Sequence, residues 1–189
     1  PGTDFILLDE PFCSLDMHVK LKLRSELPTI LKNCNASGLM VTHDPEEAMS
    51  ICDKVAVMNK GEIHQIDTPI KLLENPKTLF ASSFILGNNI LNLKQTSNSF
   101  TCCLGEIHTS LIDNNIKFIS ISQKFISINR SIHGDANIVS KEFLGEYFVY
   151  KVSIKNELIR VKTNINVDLN IGDNCFLSID KDSFCFLYA

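Results

Sequence analysis

Short apolar runs and segments of helical periodicity alternate along the N-terminal part of the chain. The run at residues 5–8 is typical of a strand buried on both faces of a parallel sheet, and a second short strand is predicted at residues 39–42. Asp16 is the predicted N-cap of the helix between them, because its side chain can accept hydrogen bonds from free backbone N–H groups. That helix is indicated by apolar residues at positions 19, 23, 27, 30 and 31. Pro28 falls inside the pattern and predicts a kink or an early break.

Caps, prolines and turn residues place the elements that follow. Asp44 as cap and Pro45 at the first helical position favour a helix start, where Glu46 and Glu47 are typical of a solvated first turn. Three further elements are predicted: a β-hairpin at residues 55–58 and 62–66 with its turn at 59–61, a helix capped by Thr68, and a short helix around residues 78–85.

The pattern changes near Gly87. Beyond it come short segments rich in Ile, Phe and Val, some with the alternation of half-buried strands, separated by Gly, Asn, Asp and Ser. This is typical of a small all-β barrel or sandwich, and we expect Tyr147, Phe148 and Tyr150 to pack in its core. The predicted organisation is an α/β domain at residues 1–87 and an all-β domain at residues 88–189.

Composition narrows the functional classes. The 189-residue chain has a net charge of −4 and no basic stripe, so no nucleic-acid partner is expected. No apolar stretch approaches the ~20 residues that span a bilayer. We therefore expect any membrane association to be peripheral and to run through a partner protein.

Cysteine usage indicates a reducing environment. The seven cysteines are odd in number and contain no C-x-x-C pair or zinc-site spacing, so we expect reduced structural thiols. Cys102 and Cys103 are adjacent and are expected to point to opposite faces of a strand, which makes them poor joint ligands.

Polar side chains end both predicted strands. Asp9 and Glu10 follow the first strand, and His43 follows the second. Ligands of open α/β sheets bind beyond the carboxyl ends of the strands, so neighbouring strands would bring these three side chains to one crevice. Asp9 suits Mg²⁺, Glu10 could orient or deprotonate a water, and His43 could donate to a terminal phosphate. The residues alone leave alternatives open. Asp9 and Glu10 could also belong to a plain strand end or to a helicase-type Walker B strand, and His43 could be a structural histidine.

The segments FILLDEPFCSLD and VTHDPEEAM resemble, in order and spacing, the second half of the nucleotide-binding domain of ABC transporters. FILLDE is similar to the Walker B strand with its catalytic glutamate, CSLD to the D-loop and VTHD to the switch loop. The resemblance implies that Asp9 holds Mg²⁺ through water and that Glu10 polarises the hydrolytic water. It also implies that His43 contacts the γ-phosphate of ATP and that Asp16 acts across a dimer interface.

The rest of the chain resembles importer ATPases of the iron, polyamine and sulfate group. The implied fold is the C-terminal half of a P-loop NTPase (RecA-like) ABC domain followed by an OB-like TOBE domain. The implied protein is an ATPase with ATP and Mg²⁺ as cofactors, working as a head-to-tail homodimer with transmembrane permease subunits and, indirectly, a solute-binding protein. It would lie at the cytoplasmic face of the bacterial inner membrane. Ferric iron is the first expectation for the cargo, with polyamine and sulfate or thiosulfate as rivals.

The sequence lacks motifs that this family carries before the Walker B strand. None of the eight glycines lies in a G-x-x-x-x-G-K-[ST] pattern, and no signature motif is present. Because the chain begins at Pro1, we expect it to start in the middle of a domain and to be inactive alone. We then expect residues 5–8 and 39–41 to expose apolar surface. The rival hypothesis is a non-catalytic remnant or regulatory module that binds no nucleotide tightly.

Overall fold

The computed structural model describes residues 5–96, 99–109, 113, 115–179 and 184–188. The chain divides into two compact units, Pro1–Leu73 and Glu74–Ala189. Within the described ranges, no helix combines the length and the apolar character needed to cross a membrane.

The first unit alternates strands and helices, as the pattern predicts. β1 pairs with β2 in parallel, and β3 pairs with β4 as the predicted antiparallel hairpin. The hairpin turn uses Lys60 and Gly61 at φ values of 49° and 82°, the backbone hand that tight hairpin turns require. The elements are β1 (Phe5–Asp9), α1 (Met17–Asn33), β2 (Ser37–Val41), α2 (Pro45–Ile51), β3 (Val55–Asn59), β4 (Glu62–Asp67) and α3 (Pro69–Glu74).

Helix α1 runs unbroken through Pro28, so the predicted early break is wrong. Proline removes one backbone hydrogen bond and crowds the carbonyl of residue i−4, which weakens a helix without always ending it. The N-terminus of α1 is secured as predicted: Asp16 Oδ1 accepts from the backbone N–H of His18 at 3.0 Å and of Val19 at 3.1 Å. The helix continues beyond Pro28 and ends at Asn33.

The two faces of the β1–β2 sheet differ in burial. On one face, the Cβ that a residue at Gly38 would carry would lie 3.2 Å from Leu31 Cδ1, so α1 packs closely there. On the other face, Leu7 is 71 % exposed and Val41 is 56 % exposed. The expected burial of residues 5–8 on both faces is therefore wrong. The expected exposure of apolar surface at residues 5–8 and 39–41 is confirmed.

The second unit is built mostly from strands. A five-stranded sheet has the order β10-β14-β11-β12-β13, and two three-stranded sheets have the orders β15-β9-β5 and β6-β7-β8. Its helical elements are α4 (Leu79–Leu86) and one 3-10 turn (Gln123–Phe125). The strands are β5 (Asn89–Asn92), β6 (Lys94–Gln95), β7 (Phe100–Cys102), β8 (Gly105–Ile107), β9 (Ile116–Ile121), β10 (Ile126–Arg130), β11 (Ala136–Phe143), β12 (Tyr147–Ile154), β13 (Glu157–Asn164), β14 (Asn174–Ile179) and β15 (Phe184–Tyr188).

The division into units falls before the predicted boundary near Gly87 because α4 packs with the strands. Ser82 of α4 is buried, and its hydroxyl lies 2.5 Å from the hydroxyl of Ser120 in β9. Thr78 caps the helix, accepting from the N–H of Ala81 at 3.1 Å. The functional domains 1–87 and 88–189 stay a prediction, since compactness and function need not share a boundary.

The core of the second unit is one apolar cluster, formed by side chains at alternating positions of its strands. Tyr150 is fully buried there; its hydroxyl donates to Val167 O at 2.8 Å and accepts from the N–H of Leu169 at 3.2 Å. Phe148 packs against the same cluster, as expected. Tyr147 does not, because the alternation of β12 places it on the opposite face, where Lys162 Nζ lies 3.5 Å from its ring centroid.

All seven cysteines are described and free of disulfide bonds. Cys102 ends β7 and Cys103 begins the turn to β8, so strand alternation does not separate their side chains as expected. The hydrogen bond between the two thiols lowers the pKa of Cys102 to about 7 and raises the pKa of Cys103. The expectation of opposite faces is therefore wrong for this pair.

We expect Tyr150→Phe to lower the free energy of unfolding by about 1–3 kcal/mol, since it leaves buried backbone groups without a partner. Urea unfolding of the full chain measures this change. Tyr188→Phe is the matched control, because that ring is exposed and its change should stay within about 0.5 kcal/mol. Equal effects of the two substitutions would contradict a role for the buried hydroxyl.

Candidate functional site at the ends of β1 and β2

Parallel pairing places the ends of β1 and β2 side by side. The register runs from Phe5 opposite Ser37 to Asp9 opposite Val41. One further bond extends it, since the N–H of Glu10 donates to Val41 O at 2.9 Å. The residues that follow each strand therefore meet at one edge of the sheet, where α/β folds bind ligands.

Glu10 and His43 are in direct contact at this edge. Glu10 Oε1 lies 2.7 Å from His43 Nδ1 and accepts from the backbone N–H of His43 at 2.9 Å. Glu10 has a φ of 44°, a left-handed conformation uncommon outside glycine, and such outliers cluster at functional sites. The strands and this backbone turn together aim the carboxylate at the histidine.

Each member of the pair favours the charged form of the other. The side-chain hydrogen bond from His43 lowers the pKa of Glu10 from its ordinary value of 4.5. The side-chain hydrogen bond to Glu10 raises the pKa of His43 from its ordinary value of 6.5. The stability that the pair contributes is lost as pH falls through the lowered pKa of Glu10, and lost again as pH rises through the raised pKa of His43. The His43 side chain is 80 % exposed, so its ring is open to an incoming ligand.

The other two predicted site residues lie apart from this contact. Asp9 is exposed on the same face of β1 as Leu7, and its side chain makes no hydrogen bond to any described residue. Asp16 is exposed and is occupied as the cap of α1. The structure thus brings Glu10 and His43 together and joins neither to Asp9 or Asp16 by a hydrogen bond within the described residues.

A buried network that the sequence did not predict supports the loop carrying His43. Glu47, expected to be solvated, is only 2 % exposed. Its Oε1 lies 2.6 Å from Lys20 Nζ, and its Oε2 accepts from Thr42 Oγ1 at 2.5 Å. Lys20 also bonds Asp44 Oδ2 at 3.0 Å. These bonds tie α1 to residues on both sides of His43.

The charges in this network are compensated. The side-chain hydrogen bond to Glu47 raises the pKa of Lys20, with Asp44 adding to the effect. Burial alone would raise the pKa of Asp44, but hydrogen bonds from Lys20 and the N–H of Glu46 outweigh it and lower that pKa. Glu47 lies three residues after the cap Asp44, the spacing of a capping box, but the N–H of Asp44 donates to Thr42 Oγ1 at 3.1 Å and not to Glu47. The capping spacing therefore did not signal this network.

The site offers hard oxygen donors and no protein cage for a metal. Among the described residues, no three His, Cys, Asp or Glu side chains are grouped closely enough to hold a metal ion. The exposed carboxylate of Asp9 suits a cation that keeps most of its waters and takes further oxygens from a phosphate ligand, as Mg²⁺ does.

Comparison with known proteins places the chain in context. It is 33 % identical over 186 residues to the Fe(3+) ions import ATP-binding protein FbpC of Haemophilus influenzae, covering 92 % of this chain and 52 % of that protein. The chain is homologous to import ATP-binding proteins. The spermidine/putrescine import ATP-binding protein PotA of Bacillus thuringiensis is 32 % identical over 183 residues, which cover 94 % of this chain and 51 % of that protein. The predicted resemblance to ATP-binding subunits of ABC importers is thereby confirmed, and the chain spans about half the length of these relatives.

Two further comparisons add little. No family model matches the chain. Among solved structures, a metal-chelate type ABC transporter in an inward-facing conformation is 21 % identical, with a TM-score of 0.38 over 56 % of this chain and 40 % of that chain. A TM-score this low supports no shared arrangement.

We expect His43 to titrate above its ordinary pKa of 6.5, and the pKa to return towards that value in Glu10→Gln. The physical reason is the loss of the carboxylate that stabilises the imidazolium. NMR titration of the imidazole ring measures both values. Glu46→Gln removes an exposed charge nearby and is the control. An identical His43 pKa in the wild type and Glu10→Gln would contradict the pairing.

We expect Glu47→Gln to lower the melting temperature more than Glu46→Gln does. The first change leaves the Lys20 ammonium with a weaker partner next to a buried site, whereas the second alters an exposed side chain. Thermal unfolding of the two variants measures the difference. If the melting temperatures of both variants equal that of the wild type, the network does not stabilise the loop that carries His43.

Proposed function

We propose that this chain forms the Walker B, D-loop and switch part of an ATP-hydrolysing subunit of a bacterial ABC importer. The observation that carries the proposal is the 2.7 Å contact of Glu10 with His43 at the joined ends of two parallel strands. Homology to iron and polyamine import ATP-binding proteins supports it. Because the chain spans about half the length of those proteins, the activity of the whole protein belongs to the proposal.

The proposed roles follow from the charges at the site. Glu10, whose pKa is lowered, stays ionised near neutral pH and accepts a proton from the attacking water. His43 is held through Nδ1, so its Nε2 faces the γ-phosphate and stabilises the charge that develops there. Asp16 orders the start of α1 and acts at the interface with a second copy of the subunit.

Asp9 is the proposed magnesium-binding residue, through water. Its exposed carboxylate makes no hydrogen bond to a described residue, so it is available to a hydrated cation. Bound Mg²⁺ would supply neutralisation of phosphate charge during phosphoryl transfer.

The proposed assembly is a head-to-tail homodimer bound to permease subunits at the cytoplasmic face of the inner membrane, served by a solute-binding protein. The assignment to residues 88–189 of a TOBE-like regulatory domain belongs to the same proposal. Ferric iron is the proposed cargo, supported by the name of FbpC, and the match to PotA keeps polyamine as the alternative.

A second candidate, of another class, is a non-catalytic regulatory or assembly module. It is favoured by the lack of a G-x-x-x-x-G-K-[ST] pattern, since backbone amides of that loop supply much of the phosphate binding. Calorimetry of the 189-residue chain with ATP and Mg²⁺ tests this second candidate. A dissociation constant in the micromolar range would argue against the module.

We expect Glu10→Gln, made in a full-length ATPase subunit that contains this chain, to retain ATP binding. The substitution should lower the hydrolysis rate by about 100-fold or more, because the general base is lost. Steady-state phosphate release and equilibrium ATP binding are the two measurements. They separate a loss of chemistry from a loss of affinity.

Glu46→Gln is the matched control for this experiment, since it removes one exposed carboxylate close to the same loop. Its hydrolysis rate should equal that of the wild type. Undiminished hydrolysis by Glu10→Gln would overturn the assignment of Glu10 as the base.

A further inference from the structure

The second unit contains an open, cationic cleft of about 520 Å³ that the proposed ATPase site does not involve. Its walls come from the outer face of the β11–β12–β13 sheet, the 3-10 turn and the end of α4. Four cationic side chains and one carboxylate, Glu142, line it. The cations are Lys124, Lys151, Arg160 and Lys162. The chain as a whole has a net charge of −4, whereas cationic side chains outnumber carboxylates in this cleft.

None of the four cations has a carboxylate within ion-pair distance among the residues that the structure describes. Glu142, on β11, is opposite Val149 of β12 in the strand register, and forms no ion pair with these cations. Lys162 lies over the ring of Tyr147, and Lys124 over that of Phe125. Lys151 and Arg160 have neither an ion pair nor a ring contact among the described residues.

Lys151 and Arg160 are direct cross-strand partners in the β12–β13 register. Directly opposite residues of antiparallel strands have Cβ atoms about 5 Å apart, and like charges in that position destabilise the pair. A bound anion between them would turn this repulsion into attraction on both sides. The arrangement costs stability in the free protein, and an anionic ligand would recover that cost.

The backbone around the cleft is held in place by partly buried hydrogen bonds. The side chain of Asn89, itself buried, accepts from the N–H of Arg160 and donates to Arg160 O, both at 2.8 Å. Gln123 in the 3-10 turn donates to Gly87 O at 2.7 Å. Arg160 and the turn carrying Lys124 are therefore positioned before any ligand arrives, which lowers the entropic cost of binding.

We infer that this cleft is a binding site for a compact organic anion with two or more phosphate or carboxylate charges. Arg160 supplies the planar donor fork that suits such groups, and Lys151 supplies a second charge. Leu86, Leu144 and Val149 add apolar wall, so the site accommodates a carbon skeleton as well as its charges. The inference is independent of ATP hydrolysis, because every residue that it uses lies in the second unit.

The test uses the 189-residue chain without Mg²⁺, titrated by calorimetry with pyrophosphate and with citrate at constant ionic strength. We expect one or both to bind. Lys151→Gln and Arg160→Gln should each weaken binding by at least about tenfold, since each removes a charged hydrogen-bond donor. The two probes distinguish a phosphate site from a carboxylate site.

Lys117→Gln is the matched control. Lys117 is exposed on β9 and outside the cleft, so its change alters the net charge equally and should leave binding within about twofold. In the absence of anion, we also expect Lys151→Gln to raise the melting temperature, because it removes the cross-strand repulsion, whereas Lys117→Gln should not.

Amide shifts in ¹H–¹⁵N spectra provide a readout that needs no variant. Shifts induced by the anion should centre on Lys151, Arg160 and Lys124. The inference is overturned if neither probe binds at millimolar concentration, if Lys117→Gln weakens binding as much as Lys151→Gln, or if the shifts centre outside the cleft. Loss of ATPase activity in Glu10→Gln would have no bearing on these outcomes.

Discussion

The parallel pairing of β1 with β2 is the constraint on which the candidate site depends. It brings residues separated by more than thirty positions to one edge of the sheet. There Glu10 Oε1 forms hydrogen bonds with both the backbone N–H and the ring Nδ1 of His43. Neither strand end has this chemistry alone. The neighbouring strand places His43 beside this carboxylate, and the contact fixes the carboxylate's position and lowers its pKa. The left-handed backbone of Glu10 is the local strain that this geometry carries.

A network of side-chain bonds to α1 supports the loop that carries His43. Lys20 of α1 reaches Glu47 and Asp44, and Thr42 bonds Glu47, so the residues on either side of His43 are tied to a helix. His43 itself stays exposed. The imidazole ring of His43 is therefore open to solvent, while the backbone on either side of it is tied to α1.

The second unit uses the two faces of its strands for different purposes. In β12 and β13, one set of alternating residues, including Tyr150, Val152 and Val161, fills the apolar core. The other set places Lys151 opposite Arg160 on an open face. The alternation that places these apolar residues in the core also places positive charge on the opposite face. The buried Asn89 side chain bonds the backbone of Arg160 and so fixes the position of that residue.

The sequence by itself determined the order of elements in the first unit, the cap at Asp16, the helix start at Asp44 and the two strand ends that carry Asp9, Glu10 and His43. These features depend on local chemistry: side-chain caps, prolines, turn residues and apolar runs act over a few positions. The change of pattern to all-β was visible for the same reason.

Only the tertiary structure decided which of those residues meet. Glu47 looked like a solvated first-turn acid, but Lys20 and Thr42 arrive from other elements and bury it. Tyr147 and Tyr150 differ by three positions in one strand, yet only the second reaches the core. The exposed face of β1 and the cross-strand Lys151–Arg160 pair follow from which strands are neighbours. That is a non-local outcome, because strand pairing and burial are set by contacts between segments far apart in the chain.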